Sequence, residues 1–192
     1  MPDGMPGATT YRVVTSWFDG VLFRDYDIVA RANGSPVITP AHGPSRACPG
    51  RRLSLPIVSQ DGTMLAARDE RSATTKIFRL HDDGQCDVMV DIGVQTGKVA
   101  FSPDHRRVAF AIPQGAVRVP TGTQWVGDDD SPEWSGIFVL TLDDLRITRV
   151  RGSETVNRLA FPEFVGADSI MFLVSGLIDD APSAFRLVCC IP

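Results

Sequence analysis

The sequence predicts an all-β fold assembled from repeated four-stranded antiparallel sheets, and three observations carry that prediction. Glycine and proline (17 and 14 of 192 residues) are spread along the whole chain and interrupt any long helix. The apolar runs are short, rich in Val, Ile, Leu and Phe, and bounded by turn residues, as strands are. A strand-turn-strand pattern recurs along the chain, and recurrence at a fixed period marks a repeat architecture.

In chain order, the N-terminal region holds two strand candidates, Tyr11 to Trp17 and Asp25 to Arg31. Residues 32–52, with four prolines and three glycines, read as an irregular connector. The first full repeat follows. Leu55-Pro56-Ile57-Val58-Ser59-Gln60-Asp61-Gly62 and the strand Thr63 to Arg68 align with Val99-Ala100-Phe101-Ser102-Pro103-Asp104-His105 and the strand Arg106 to Ala111. At such a turn Asp accepts from backbone N–H groups two residues on, and Gly62 takes a positive φ without steric penalty. His105 stands in the glycine position of the second copy. A third copy pairs Asn157 to Pro162 with Ser169 to Leu173 across a longer turn containing Gly166 and Asp168.

Each hairpin is followed by a third strand: Lys76-Ile77-Phe78-Arg79-Leu80, Gly136-Ile137-Phe138-Val139-Leu140 and Ala184-Phe185-Arg186-Leu187. Acidic turns and fourth strands, Cys86 to Val90 and Arg146 to Val150, come after the first two. Ser59 and Ser102 are 43 residues apart. About 40 to 50 residues for four strands is the period of a β-propeller blade. The expected organisation is therefore a partial β-propeller of about three four-stranded blades plus an N-terminal strand pair. Its units are 1–53 (strand pair and connector, with a partial blade as the other reading), 54–97, 98–156 with an inserted loop at 114–134, and an incomplete blade at 157–192. A lone blade cannot cover both faces of its sheet. Phe78, Phe101, Phe110, Phe138, Phe161, Phe172 and Phe185 are the expected wedges between blades, since each aromatic buries about 150–250 Å² when covered.

These units resemble the WD40-like repeats of the TolB and prolyl-oligopeptidase propeller families. Phe101-Ser102-Pro103-Asp104, Val108-Ala109-Phe110 and Ile137-Phe138-Val139-Leu140 carry the resemblance best. It extends over roughly residues 53–190, with His105 replacing Gly and no Asp-Gly turn in the third copy. The resemblance implies a binding scaffold or a gating domain, and a periplasmic or extracellular location if a parent chain carries a signal peptide. Closed propellers hold about four to eight blades, so the ring here reads as unfinished. The chain stops at Cys189-Cys190-Ile191-Pro192, where a turn and a fourth strand are due, which favours a portion of a larger propeller. Association with further copies and closure by the N-terminal strands are the two other ways to complete it.

The residues offer little catalytic chemistry. Cys48, Cys86, Cys189 and Cys190 lack C-x-x-C spacing, and His42, His81 and His105 form no paired-ligand pattern, which argues against a metal site. Cys48 and Cys86 are the candidate disulfide in an oxidising compartment, with idle or buried thiols as the alternative. Gly93-Val94-Gln95-Thr96-Gly97-Lys98 has too short a spacing for a phosphate loop, lacks the following Ser or Thr, and reads as the link between blades. No G-x-S-x-G elbow occurs, and Ser59 and Ser102 read as turn caps. No cofactor motif stands out. With 19 basic and 23 acidic residues and no basic stripe, nucleic acid is not an expected partner, and no apolar window is long enough for a membrane span. The most distinctive local sequence lies in the insertion, where Trp125 and Trp134 bracket Asp128, Asp129 and Asp130. Aromatics on a long loop suit recognition, and pinning the loop to its blade is the competing role. The expected function is a non-enzymatic scaffold for a protein or small ligand. An accessory propeller of an enzyme whose catalytic module lies elsewhere is the alternative.

Overall fold

The computed structural model describes residues 8–31, 34–126, 135–153, 161–174 and 184–189, and every regular element among them is a strand. The first sheet begins with β1 (Ala8–Trp17) and β2 (Gly20–Arg31), a hairpin closed by Phe18 and Asp19 with Trp17 opposite Gly20. Two further strands pair with the free edge of the long β2. These are β3 (Gly34–Pro40), opposite Tyr26 to Arg31, and β4 (Ser45–Ala47), opposite Val21 to Phe23. The N-terminal region is thus a four-stranded sheet, in which the expected strand pair is joined by two strands from the segment that reads as an irregular connector. Pro36 is tolerated because β3 is an edge strand, and Pro44 and Pro49 fall outside the strands.

The second sheet is a meander of β5 (Leu53–Val58), β6 (Met64–Asp69), β7 (Thr74–Leu80) and β8 (Cys86–Asp91). The third repeats it with β9 (Val99–Phe101) and β10 (Arg107–Ile112). The insertion then supplies β11 (Gln124–Val126) before β12 (Gly136–Thr141) and β13 (Arg146–Arg149) complete the meander. β11 pairs in parallel with β13, so the insertion adds a fifth strand on the outer edge, where a surface loop was expected. The fourth sheet holds β14 (Glu163–Phe164), β15 (Ser169–Val174) and β16 (Ala184–Cys189). Among the described residues its first strand follows Phe161 and Pro162, which were expected within it, and Pro162 has no N–H to give to a ladder. Residues 157–160 lie outside the described residues.

The alternation of side chains shows how these sheets stack. Along β6, Leu65 and Ala67 join Val21, Phe23 and Ala47 of the first sheet, while Ala66 points the other way, into a cluster with Val108, Phe110 and Phe138 of the third. In the third sheet Phe110, Phe138 and Leu140 face back toward the second, and Ala109, Ala111, Ile137 and Val139 face forward to Ile170 and Phe172 of the fourth. The four sheets are therefore layered in chain order, and the second and third each bury one face on the preceding sheet and the other on the following one, as propeller blades do. Phe78, Phe110, Phe138 and Phe172 are buried wedges. Phe101 is half-buried at the joint between the second and third sheets. Phe161 departs from the expectation, because it stands outside any strand and is 43% exposed. The side chain of Phe185 lies outside the described set.

Candidate functional site

The sheets converge at their first strands: β1 lies against β5, and β9 against β14. Between the second, third and fourth sheets this edge opens a cleft of about 440 Å³. Ile57, Phe101, Pro103, Phe161 and Phe164 give it a mostly apolar lining, with Lys98 as its cation. Lys98 Nζ lies 5.6 Å from the centre of the Phe161 ring, so the ammonium and the aromatic face support one another at the rim. On β5, the register slips between Ser54 and Ile57, and Leu55 in this bulge adopts φ 51° with its side chain 65% exposed. A bulge that turns an apolar side chain outward on an edge strand is a means of aiming it.

Two equivalent turns frame one end of the cleft. In the first, Ser59 Oγ donates to Asp61 Oδ1 (2.6 Å) and accepts from the Met64 amide (2.9 Å), while Asp61 Oδ1 accepts from the Thr63 amide (3.1 Å). In the second, Ser102 Oγ donates to Asp104 Oδ1 (2.5 Å) and accepts from the Arg107 amide (2.9 Å), and Asp104 accepts from the Arg106 amide (3.1 Å). Gly62 (φ 77°) and His105 (φ 58°) occupy the same left-handed position. The histidine has a use that glycine lacks: its Nδ1 lies 3.0 Å from Asp61 Oδ2, which ties the two turns together across neighbouring sheets. Burial disfavours the charged form of Asp61, but hydrogen bonds from Ser59, Thr63 and the Thr63 amide, with the charge of His105, outweigh it and hold the carboxyl at about 2. The hydrogen bond from Ser102 likewise lowers Asp104.

A second, more polar cleft of about 500 Å³ lies between the first and second sheets, lined by Arg12, Arg46, Asp61, His81 and Asp83 among others. Arg12 is held there by a two-pronged pair with Asp25 across the hairpin (2.8 and 2.9 Å). Below it Cys48 and Cys86 form a disulfide, Cα–Cα 5.0 Å, and the Cys48 amide donates to Gly84 O (2.9 Å). The first sheet is thereby fastened to the last turn of the second.

Of the residues singled out in the insertion, the structure positions Trp125. Its indole lies edge-on to Phe110 and Phe138, with ring centres 6.4 and 5.5 Å away, and Arg118 covers it at 5.1 Å. It seals the outer rim of the joint between the second and third sheets. Asp128, Asp129, Asp130 and Trp134 lie outside the described residues. Residues 93–98 form the link between β8 and β9, anchored where the Thr96 amide donates to Thr75 Oγ1 (3.0 Å). The cleft itself was not among the expected sites. Its lining comes from segments about 40 to 60 residues apart, and the exposed Phe161 beside Pro162 was its one local signal.

No protein-family model matches the chain, and no curated protein does. Among solved structures, TolB from Acinetobacter baumannii superposes with a TM-score of 0.50 at 11% identity, over 94% of this chain and 38% of that one. The fold is a TolB-like, WD40-like β-propeller. The propeller domain of Cps50 (Swd1) from Myceliophteria thermophila follows with a TM-score of 0.44 at 13% identity, over 87% of this chain and 49% of that one. Acylaminoacyl peptidase from Pyrococcus horikoshii gives 0.42 at 14%, over 93% and 31%. The chain thus spans well under two thirds of each of these structures, and the likeness is one of propeller architecture.

Proposed function

We propose that this chain is a non-enzymatic binding module that receives an apolar segment of a partner protein in the cleft between its first strands. The observation that carries the proposal is the cleft, where three successive sheets contribute Ile57, Phe101, Phe161 and Phe164 to one concave surface with Lys98 at its edge. Apolar pockets with a few placed polar groups are the usual form of a ligand site. The adjacent hydroxyls are engaged in structure: Ser59 and Ser102 are buried and each is committed to its own turn. Both act as caps, each donating to the carboxylate of its own turn and accepting from a backbone amide of the following strand.

The insertion is a separate surface. β11 lies on the outer edge of the third sheet and β9 on the inner edge, with three strands between them. Recognition by Trp125 would therefore use a different edge of the third sheet from the cleft, and Asp128, Asp129, Asp130 and Trp134 lie outside the described residues.

Panning an immobilised peptide library against the protein, with Phe161→Asp and Phe164→Asp as counter-screens, tests the proposal. Enrichment of peptides with adjacent apolar or aromatic residues, lost in both variants, is expected. Enrichment that both variants preserve, or none at all, rejects the cleft as the site.

A further inference from the structure

We infer that the segment received by the cleft enters as an extended strand and pairs with the open edge of β9, an inference that rests on reading the cleft as a binding site. Every residue from Lys98 to Pro103 lines the cleft. Side chains of a strand alternate between its two faces, so a cleft lying over one face is lined by every second residue. One lined by consecutive residues runs along the edge. The ladder shows what that edge presents. The Ser102 amide donates to Arg107 O (3.0 Å) and the Ala111 amide to Lys98 O (3.1 Å), with Ala100 opposite Ala109 between them. Because antiparallel pairs alternate between bonded and non-bonded, Lys98, Ala100 and Ser102 direct their backbone groups to β10, and Val99 and Phe101 direct theirs the other way. Among the described residues no group accepts from the Val99 or Phe101 amide, and β9 pairs with β10 alone. Two N–H and two C=O groups thus face the cleft, the set with which a sheet edge takes up an added strand.

The neighbouring sheets differ from the third at this position. The same turn bond closes each hairpin, from the Ser59 amide to Met64 O, from Ser102 to Arg107 O and from Val165 to Ser169 O. Three residues before these amides stand Pro56, Val99 and Pro162. Proline has no N–H, and prolines are a common means of keeping a sheet edge from pairing. The second and fourth sheets carry that protection on the outward-facing position, and the third has Val99 there. A strand added to β9 continues the third sheet between its neighbours. Its successive side chains then meet Ile57 of the second sheet and Phe161 and Phe164 of the fourth by turns. The two charged lining residues, Lys98 and Glu163, are opposite in sign, so the lining selects no net charge. The chemistry that fits is an uncharged extended segment, apolar on both faces and without proline in the paired stretch.

Amide hydrogen exchange on the 192-residue chain, followed residue by residue by nuclear magnetic resonance, is the test. The probe is a pool of capped hexapeptides randomised over Val, Ile, Phe, Thr and Ser. With the pool present, the Val99 and Phe101 amides should exchange about tenfold more slowly or slower still. The same pool N-methylated on every residue should give no protection, because it has no N–H to offer the Val99 and Phe101 carbonyls. Val99→Pro, which copies the neighbouring sheets, should abolish the response at Phe101 with an unchanged circular dichroism spectrum. Shifts of the Phe161 and Phe164 ring resonances without slower exchange at Val99 and Phe101 would overturn strand addition and leave the cleft as a binding site. Protection that survives N-methylation would overturn it as well. No change at any residue of the cleft would reject both the strand and the site.

Discussion

Between the second and third sheets, Phe110, Phe138 and Ile147 are buried against Ile77, Val90 and Ile92, and Trp125 closes the outer rim. Between the first and second, Phe23 and Phe78 lie among small side chains, Ala47 and Ala67, with Cys48 and Cys86 completing the cluster. The first of these joints is held chiefly by aromatic and aliphatic burial, with the His105–Asp61 contact at its edge. The second has less of it and is covalently closed. A disulfide acts chiefly on the unfolded chain, and the Cys48–Cys86 loop closes over a separation of 38 residues, enclosing β5, β6 and β7. Where a three-residue strand such as β4 contributes little surface, a restriction on the unfolded ensemble takes the place of burial.

The sharpest way to break this comparison is to remove packing from the aromatic joint. Phe110→Ala leaves a cavity between two sheets and is expected to cost about 3–5 kcal/mol in urea unfolding, the largest effect of any single change proposed. The next largest belongs to the other joint. Cys48→Ser with Cys86→Ser should cost about 2–4 kcal/mol by the loop-closure argument, and reduction of the native protein should lower the midpoint to a similar extent. The two costs should add in the combined variant, because the joints share no buried partner. Trp125→Ala comes third, at about 2 kcal/mol, since the indole is half-buried and contributes edge-on contacts to Phe110 and Phe138. A loss below about 0.5 kcal/mol would mean that β11 decorates the third sheet without sealing it.

Much of this architecture is legible in the residues themselves because the repeat is written in local chemistry. Ser-x-Asp followed by a residue at positive φ specifies the turn, and alternation around Phe78 and Phe138 places equivalent wedges on equivalent faces. β3 and β4 are less legible. The prolines within β3 and on either side of β4 argue against strands in general, and only the unpaired edge of β2, a tertiary feature, makes strands of these segments. Phe101 and Phe161 align in sequence yet diverge in place, since Phe101 ends a strand and Phe161 precedes Pro162 outside one. The cleft arises from the convergence of three first strands, and no local pattern encodes convergence. For the cysteines, spacing leaves pairing open, and the approach of β4 to the turn before β8 decides it.

The smallest expected effect separates the two copies of the turn. Asp61 accepts from two hydroxyls and an amide and faces His105, whereas Asp104 accepts from one hydroxyl and an amide. The folded-state pKa of Asp61, about 2, lies below the roughly 3.9 of an unfolded chain. Its contribution is therefore fully present above pH 4 and disappears as pH falls toward 2, the direction required when the unfolded state binds the proton more tightly. About a third of the side chain is exposed, so solvent screening reduces the contribution to on the order of 1 kcal/mol. Asp61→Asn should accordingly lower stability at pH 6 and flatten its decline between pH 4 and pH 2, while Asp104→Asn does so less. His105→Gly isolates the link between the turns. It removes the partner of Asp61 and relieves a positive φ at once, so its net effect on stability should be small, while the residual acid dependence of Asp61 weakens. An acid profile unchanged by His105→Gly would show that Ser59 and Thr63 alone set the ionisation of Asp61, and that the contact between neighbouring turns carries no charge coupling.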